Sequence, residues 1–235
     1  MNFENEEEGL LYSLFIILEV RTFKSALLAC DIIENVIKKK WNKYKYDARA
    51  KIRISLFYNL LERVQVLDKK ETTEVPQNYQ CIINKLNRIL IFIANIDTDN
   101  FLKDFINELC EKRKLSHTLE NNMKILIDLS NEVLNNPCNE LNTSKRFNST
   151  TQINLYLKQI YQLCCDVIVK QSKDIINILK NKIPYNFALF NNILKQAIKL
   201  FCEYSRWFEI DNLFNDDVVD HFYLFSKIMT IVKVI

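Results

Sequence analysis

The chain has 235 residues but only 1 Gly and 3 Pro, and its 32 Lys+Arg nearly balance 29 Asp+Glu. A single glycine excludes folds that need positive φ at hairpins, dinucleotide turns, phosphate loops or nucleophile elbows. A net charge of +3 is too small for a nucleic-acid wrapper, and 49% hydrophobic with 26% charged residues excludes a disordered chain.

An all-α protein is expected, because apolar residues recur at i, i+3, i+4 and i+7 through nearly the whole chain. The pattern predicts helices at 7–20, 22–41, 48–67, 78–95, 98–113, 116–136, 150–171, 174–182, 186–206 and 212–234. Asp47 is placed to cap the third, Asp97-Thr98 to open the fifth and Ser116 to begin the sixth. Pro76, Pro137 and Pro184 fall between helices, where a missing N–H costs least. The polar stretch Asn135–Thr151 reads as a loop rather than a linker, so residues 1–235 read as a single domain. Paired helices at a spacing of ~40 residues point to an α-α superhelix, a HEAT-type solenoid of about five repeats. The apolar C-terminus, with Ile228, Met229, Ile231, Val232, Val234 and Ile235, carries no polar capping repeat and reads as truncated or covered by a partner.

The N-terminus is acidic where a targeting peptide is basic, and no apolar run approaches the ~20 residues of a membrane span. The expectation is a soluble intracellular chain. Its 7 Cys lack CxxC spacing and read as small hydrophobes on apolar helix faces in a reducing compartment.

Three patterns carry possible chemistry. Asp216-Asp217-Val218-Val219-Asp220 is a DDxxD string whose carboxylates share a helix face and could hold Mg²⁺ against a diphosphate. It lacks a following arginine pair and a second aspartate-rich motif, so acids in a first helical turn explain it better. His117 and His221 lack the partners of a triad or a metal site. Lys38, Lys39, Lys40, Lys43, Lys45, Arg49, Lys51 and Arg53, interleaved with Trp41, Tyr44 and Tyr46, form the main basic cluster. It could meet phosphate, but the end of a solvated helix explains it more simply. No enzyme, metal or cofactor follows from these residues.

One segment goes beyond periodicity. In FKSALLACDIIENVIKKKW, Phe23–Trp41, the polar pair Glu34-Asn35 precedes an apolar run that ends in Trp41. It resembles the Ile-Leu-Glu-Asn-Val-Ile…Trp helix of the leucine-rich-signal exportins (exportin one), nuclear transport receptors of the importin-β superfamily. Three further stretches resemble that family in the same order: Asn84–Leu90, NKLNRIL; Leu119–Val133, LENNMKILIDLSNEV; and Ile160–Cys164, IYQLC. The resemblance runs over about residues 10–225.

The resemblance implies a non-enzymatic HEAT superhelix that binds the GTPase Ran in its GTP state and takes part in protein export from the nucleus. It implies shuttling between nucleus and cytoplasm, contact with nuclear pore proteins, and a separate C-terminal exportin chain to supply the cargo groove. Ran is gripped in the family from the second helices of the repeats, here those at 7–20, 48–67, 98–113 and 150–171. On the second of these, Arg53 aligns with a basic family position and Arg49 lies one turn before it, so both become candidate Ran contacts. Glu34, Asn35 and Trp41 are expected to organise packing between repeats. Measured against the family, the chain would lack the first helix, the acidic loop and the cargo groove, and none of its cysteines matches the reactive one. The alternatives are a generic α-solenoid interaction scaffold and, distantly, a diphosphate-binding enzyme built on the DDxxD string.

Overall fold

The computed structural model describes residues 10, 13–16, 22–69, 77–97, 101–111, 116–133, 155–181, 187–205, 207, 220 and 223. Among them no strand occurs. In chain order the helices are α1 (Phe23–Lys40), a 3-10 turn at Trp41–Lys43, α2 (Tyr46–Lys69), α3 (Gln77–Ile96), α4 (Lys103–Cys110), α5 (Ser116–Val133), α6 (Leu157–Asn181) and α7 (Phe187–Ser205). Leu10 and Ser13–Ile16 are helical as well, and the described part of the predicted last helix is Asp220 and Tyr223.

The chain divides into two compact units, 1–97 and 98–235. In the first, α3 packs against both α1 and α2. This explains why α3 buries a broad face, through Ile82, Ile83, Leu86, Ile89, Leu90, Ile91, Ile93 and Ala94, and leaves Cys81, Asn84 and Arg88 exposed on one side. By contrast α1 buries one stripe, Ala26, Ala29, Cys30, Ile33, Val36 and Ile37, at helical spacing. On α2 the stripe is Ile52, Leu56, Leu60, Val64 and Leu67. An ion pair between Lys85 and Asp31 also ties α3 to α1.

In the second unit α5 packs on α4 and α7, while α6 packs on α7 and α4. Tyr204 on α7 is fully buried and donates its hydroxyl to the Leu126 carbonyl on α5 at 2.9 Å. Asn122 on α5, also buried, donates from its amide to the Leu109 carbonyl of α4 at 3.1 Å. These two buried polar groups each find a backbone acceptor on a neighbouring helix.

Several boundaries differ from the sequence expectation. Residues 157–181 form one helix where a break at 172–173 is expected. The polar run Lys170-Gln171-Ser172-Lys173 contains no Gly or Pro, and polarity without a breaker does not stop a helix. Helix α4 is only 8 residues long, preceded by a wider π-type turn at Phe101 and Leu102. Asp47 lies inside the first turn of α2, beyond the cap position. The Lys45 carbonyl there accepts from the Arg49 amide at 3.0 Å, so Asp47 acts through the helix dipole. Asp97 closes α3, its amide donating to the Ile93 carbonyl at 2.9 Å, and Thr98, the other residue of the expected helix start, lies outside the described residues.

Candidate partner-binding site

Arg49 and Arg53 stand one turn apart on α2, on the same stripe as Leu56 and Leu60. That position carries both guanidinium groups toward the end of α3, where Asp97 receives them. Arg53 donates from Nη1 to Asp97 Oδ2 at 2.5 Å, and the residue is 6% exposed. It also lies 5.6 Å from the centre of the Tyr46 ring, whose electron-rich face favours the cation. Arg49 is looser. Its Nη1 stands 3.7 Å from Asp97 Oδ1, its side chain is 22% exposed, and its Nε is buried with no hydrogen-bond partner. Two cations therefore converge on one carboxylate whose side chain is 4% exposed.

Asp97 is the residue of this site that sequence reasoning missed. Its Asp-Thr dipeptide before Phe101 reads as a helix start, and nothing local links it to arginines 44 and 48 positions earlier.

The other members of the basic cluster disperse. Lys38 pairs with Glu34 at 2.6 Å, one turn apart on the surface of α1, and sits 5.8 Å from the Phe92 ring. Tyr44 is buried, whereas Lys39, Lys43, Lys45 and Lys51 are exposed. Of the signature residues, Glu34 holds that surface ion pair and Asn35 is exposed. Trp41 is 2% exposed and closes the core at the end of α1, with its indole Nε1 buried without a hydrogen-bond acceptor. Beside α2 an open cleft of about 590 Å³ is lined by Leu10, Leu14, Tyr44, Ala48 and Ile52, with Lys45, Asp47 and Lys51 also on its wall.

His117 Nδ1 stands 3.9 Å from Glu120, which also pairs with Lys124 at 2.6 Å. Among the described residues no group of three His, Cys, Asp or Glu can hold a metal, and no helix is long and apolar enough to cross a membrane. His221, Asp216 and Asp217 lie outside the described residues; Asp220 is helical and exposed. Cys30, Cys164 and Cys165 are buried free thiols, as the sequence reading expects, but Cys81 and Cys202 are exposed; Cys138 is outside the described residues. Burial pushes the Cys30 thiol up to about 11 and the Cys110 thiol up to about 12.

The family model described as "Exportin 1-like protein" matches residues 79–231. The chain is 27% identical over 196 residues to Protein EXPORTIN 1A of Arabidopsis thaliana, a match covering 79% of this chain and 18% of that protein. It is 21% identical over 194 residues to Exportin-1 of Schizosaccharomyces pombe, covering 82% of this chain and 16% of that protein. The chain thus spans less than a fifth of the length of the curated relatives it matches.

Proposed function

The chain belongs to the exportin 1-like family, a family of helical-solenoid transport receptors rather than enzymes, and on that premise we propose that it binds the GTPase Ran in its GTP state and takes part in protein export from the nucleus. Residues 1–235 act in this reading as one exportin-like HEAT domain that shuttles between nucleus and cytoplasm. Nuclear pore proteins and a chain carrying C-terminal exportin repeats are its further partners. Recognition is by surface fit: side chains on stacked helices meet switch regions that take their shape only when GTP is bound, so nucleotide state controls affinity through differential contacts.

The observation that carries the proposal is Arg49, a partly exposed cation held only loosely on a helix of the class that grips Ran in the family. Arg53 serves the same contact from behind, since its guanidinium is committed to Asp97 and fixes this end of α2 against α3. Trp41 belongs to the packing at the end of α1, whereas Glu34 holds a surface ion pair and Asn35 is exposed. The test is binding of the purified full chain to Ran loaded with a non-hydrolysable GTP analogue and, separately, with GDP. Binding confined to the GTP form and weakened by Arg49→Ala supports the proposal. Equal binding to both forms makes the chain a nucleotide-indifferent scaffold, and no binding by a folded chain overturns the Ran reading.

A further inference from the structure

We infer that Arg49 is a receptor for a carboxylate projected by a partner protein, and that Asp97 is its resting counter-ion, which the partner's acid displaces. The inference rests on the protein-binding reading above and adds the chemistry of the contact. Among the described residues, two guanidinium groups face the one carboxylate of Asp97. Arg53 takes one oxygen at hydrogen-bond distance, while Arg49 stays 3.7 Å from the other, beyond hydrogen-bonding range. A guanidinium has five N–H donors in a rigid fork that matches a carboxylate edge. Arg49 Nε is buried and unpartnered, while the rest of the side chain still reaches solvent. The start of α2 strengthens the preference for an anion, because Lys45 just before the helix and Lys51 in its second turn are exposed against Asp47 alone.

A protein acid fits better than a nucleic-acid phosphate. The cations that would track a backbone are dispersed, with Arg53 buried and Lys38 paired. The exposed neighbour one turn before Arg49 is Tyr46, at 54%, and arginine beside tyrosine is the composition of a protein–protein contact.

The experiment uses the full chain with Trp207→Phe, which leaves Trp41, buried in the first unit, as the only tryptophan. Thermal midpoints are read by its fluorescence in sodium acetate and in sodium chloride of equal ionic strength, with and without Arg49→Gln. Acetate at a few times its dissociation constant is expected to raise the midpoint by about 5 °C over chloride in a unit of this size. Arg49→Gln removes that difference, and Asp97→Asn, if it folds, enlarges it by removing the competitor. The same acetate effect with and without Arg49 overturns the inference. So does Arg49-dependent binding of a single-stranded RNA oligomer without any acetate effect, which would assign the site to phosphate. A parallel titration with GTP-loaded Ran separates the two readings: an Arg49-dependent acetate effect without Ran binding upholds the carboxylate site and removes Ran as the partner.

Discussion

Replacing Asp97 by Asn should unfold the first unit more readily than any surface change on α2. In the native chain Arg53 is 6% exposed and bonded to Asp97 at 2.5 Å, so the substitution leaves a buried guanidinium with its counter-charge removed. Breaking a buried pair in this way costs about 3–5 kcal/mol, whereas replacing both partners by apolar groups of similar volume is often neutral. Arg49 is already 3.7 Å away and partly hydrated, so its loss adds little and the lower part of that range, about 3–4 kcal/mol, applies. The unit spans residues 1–97, and a unit of this length unfolds with an entropy of about 0.2 kcal/mol/K. The midpoint should therefore fall by about 15–20 °C, read by Trp41 fluorescence in a Trp207→Phe background. The decisive variant is Arg53→Met with Asp97→Leu. It should return the midpoint to within about 5 °C of native, because no charge then remains in the buried position. A double variant as unstable as Asp97→Asn alone would refute the reasoning and make the shape of the pair, not its charge, the source of stability.

Other consequences are sharp enough to measure. Tyr204→Phe removes the buried hydroxyl that donates to the Leu126 carbonyl and should cost the second unit about 1–1.5 kcal/mol in urea unfolding, with the slope unchanged. A thiol reagent at neutral pH should modify Cys81 and Cys202 quickly and reach Cys30 and Cys164 only on unfolding. Stability should also fall as pH rises above about 9, where the unfolded thiols lose protons that folded Cys30 and Cys110 keep up to about 11 and about 12. Each such thiol contributes on the order of 1 kcal/mol per pH unit across that window, and a flat profile between pH 9 and 11 would contradict the burial.

Much of the fold was legible because an amphipathic helix writes its buried face at a spacing the sequence preserves. The ends of α1, α3 and α7 fall within one residue of the expected bounds. Where the reading failed, long-range packing decided the outcome. The continuous α6 shows that a polar run without Gly or Pro is a solvated face rather than a boundary. The arginines are more instructive. Arg53 precedes Leu56 by three residues and Leu60 by seven, so its place on the buried stripe of α2 was available from spacing alone. A basic residue suggests a surface role, and in a reading from sequence that chemistry outweighs the periodic signal. Its acid was a different matter. Asp97 meets Arg53 only because α2 and α3 pack, and no short-range pattern encodes that meeting.

The burial of α3 on both sides has a kinetic meaning. Its amides at the buried positions between Ile82 and Ala94 reach solvent only when both neighbouring helices have moved away, so they should exchange hydrogen at the rate of whole-unit opening. Helix α1, buried along one stripe, can fray locally and should exchange by smaller excursions. The segment that contains Asn84–Leu90 is therefore the slow-exchanging spine of the first unit, and its protection would vanish in one step with the fold.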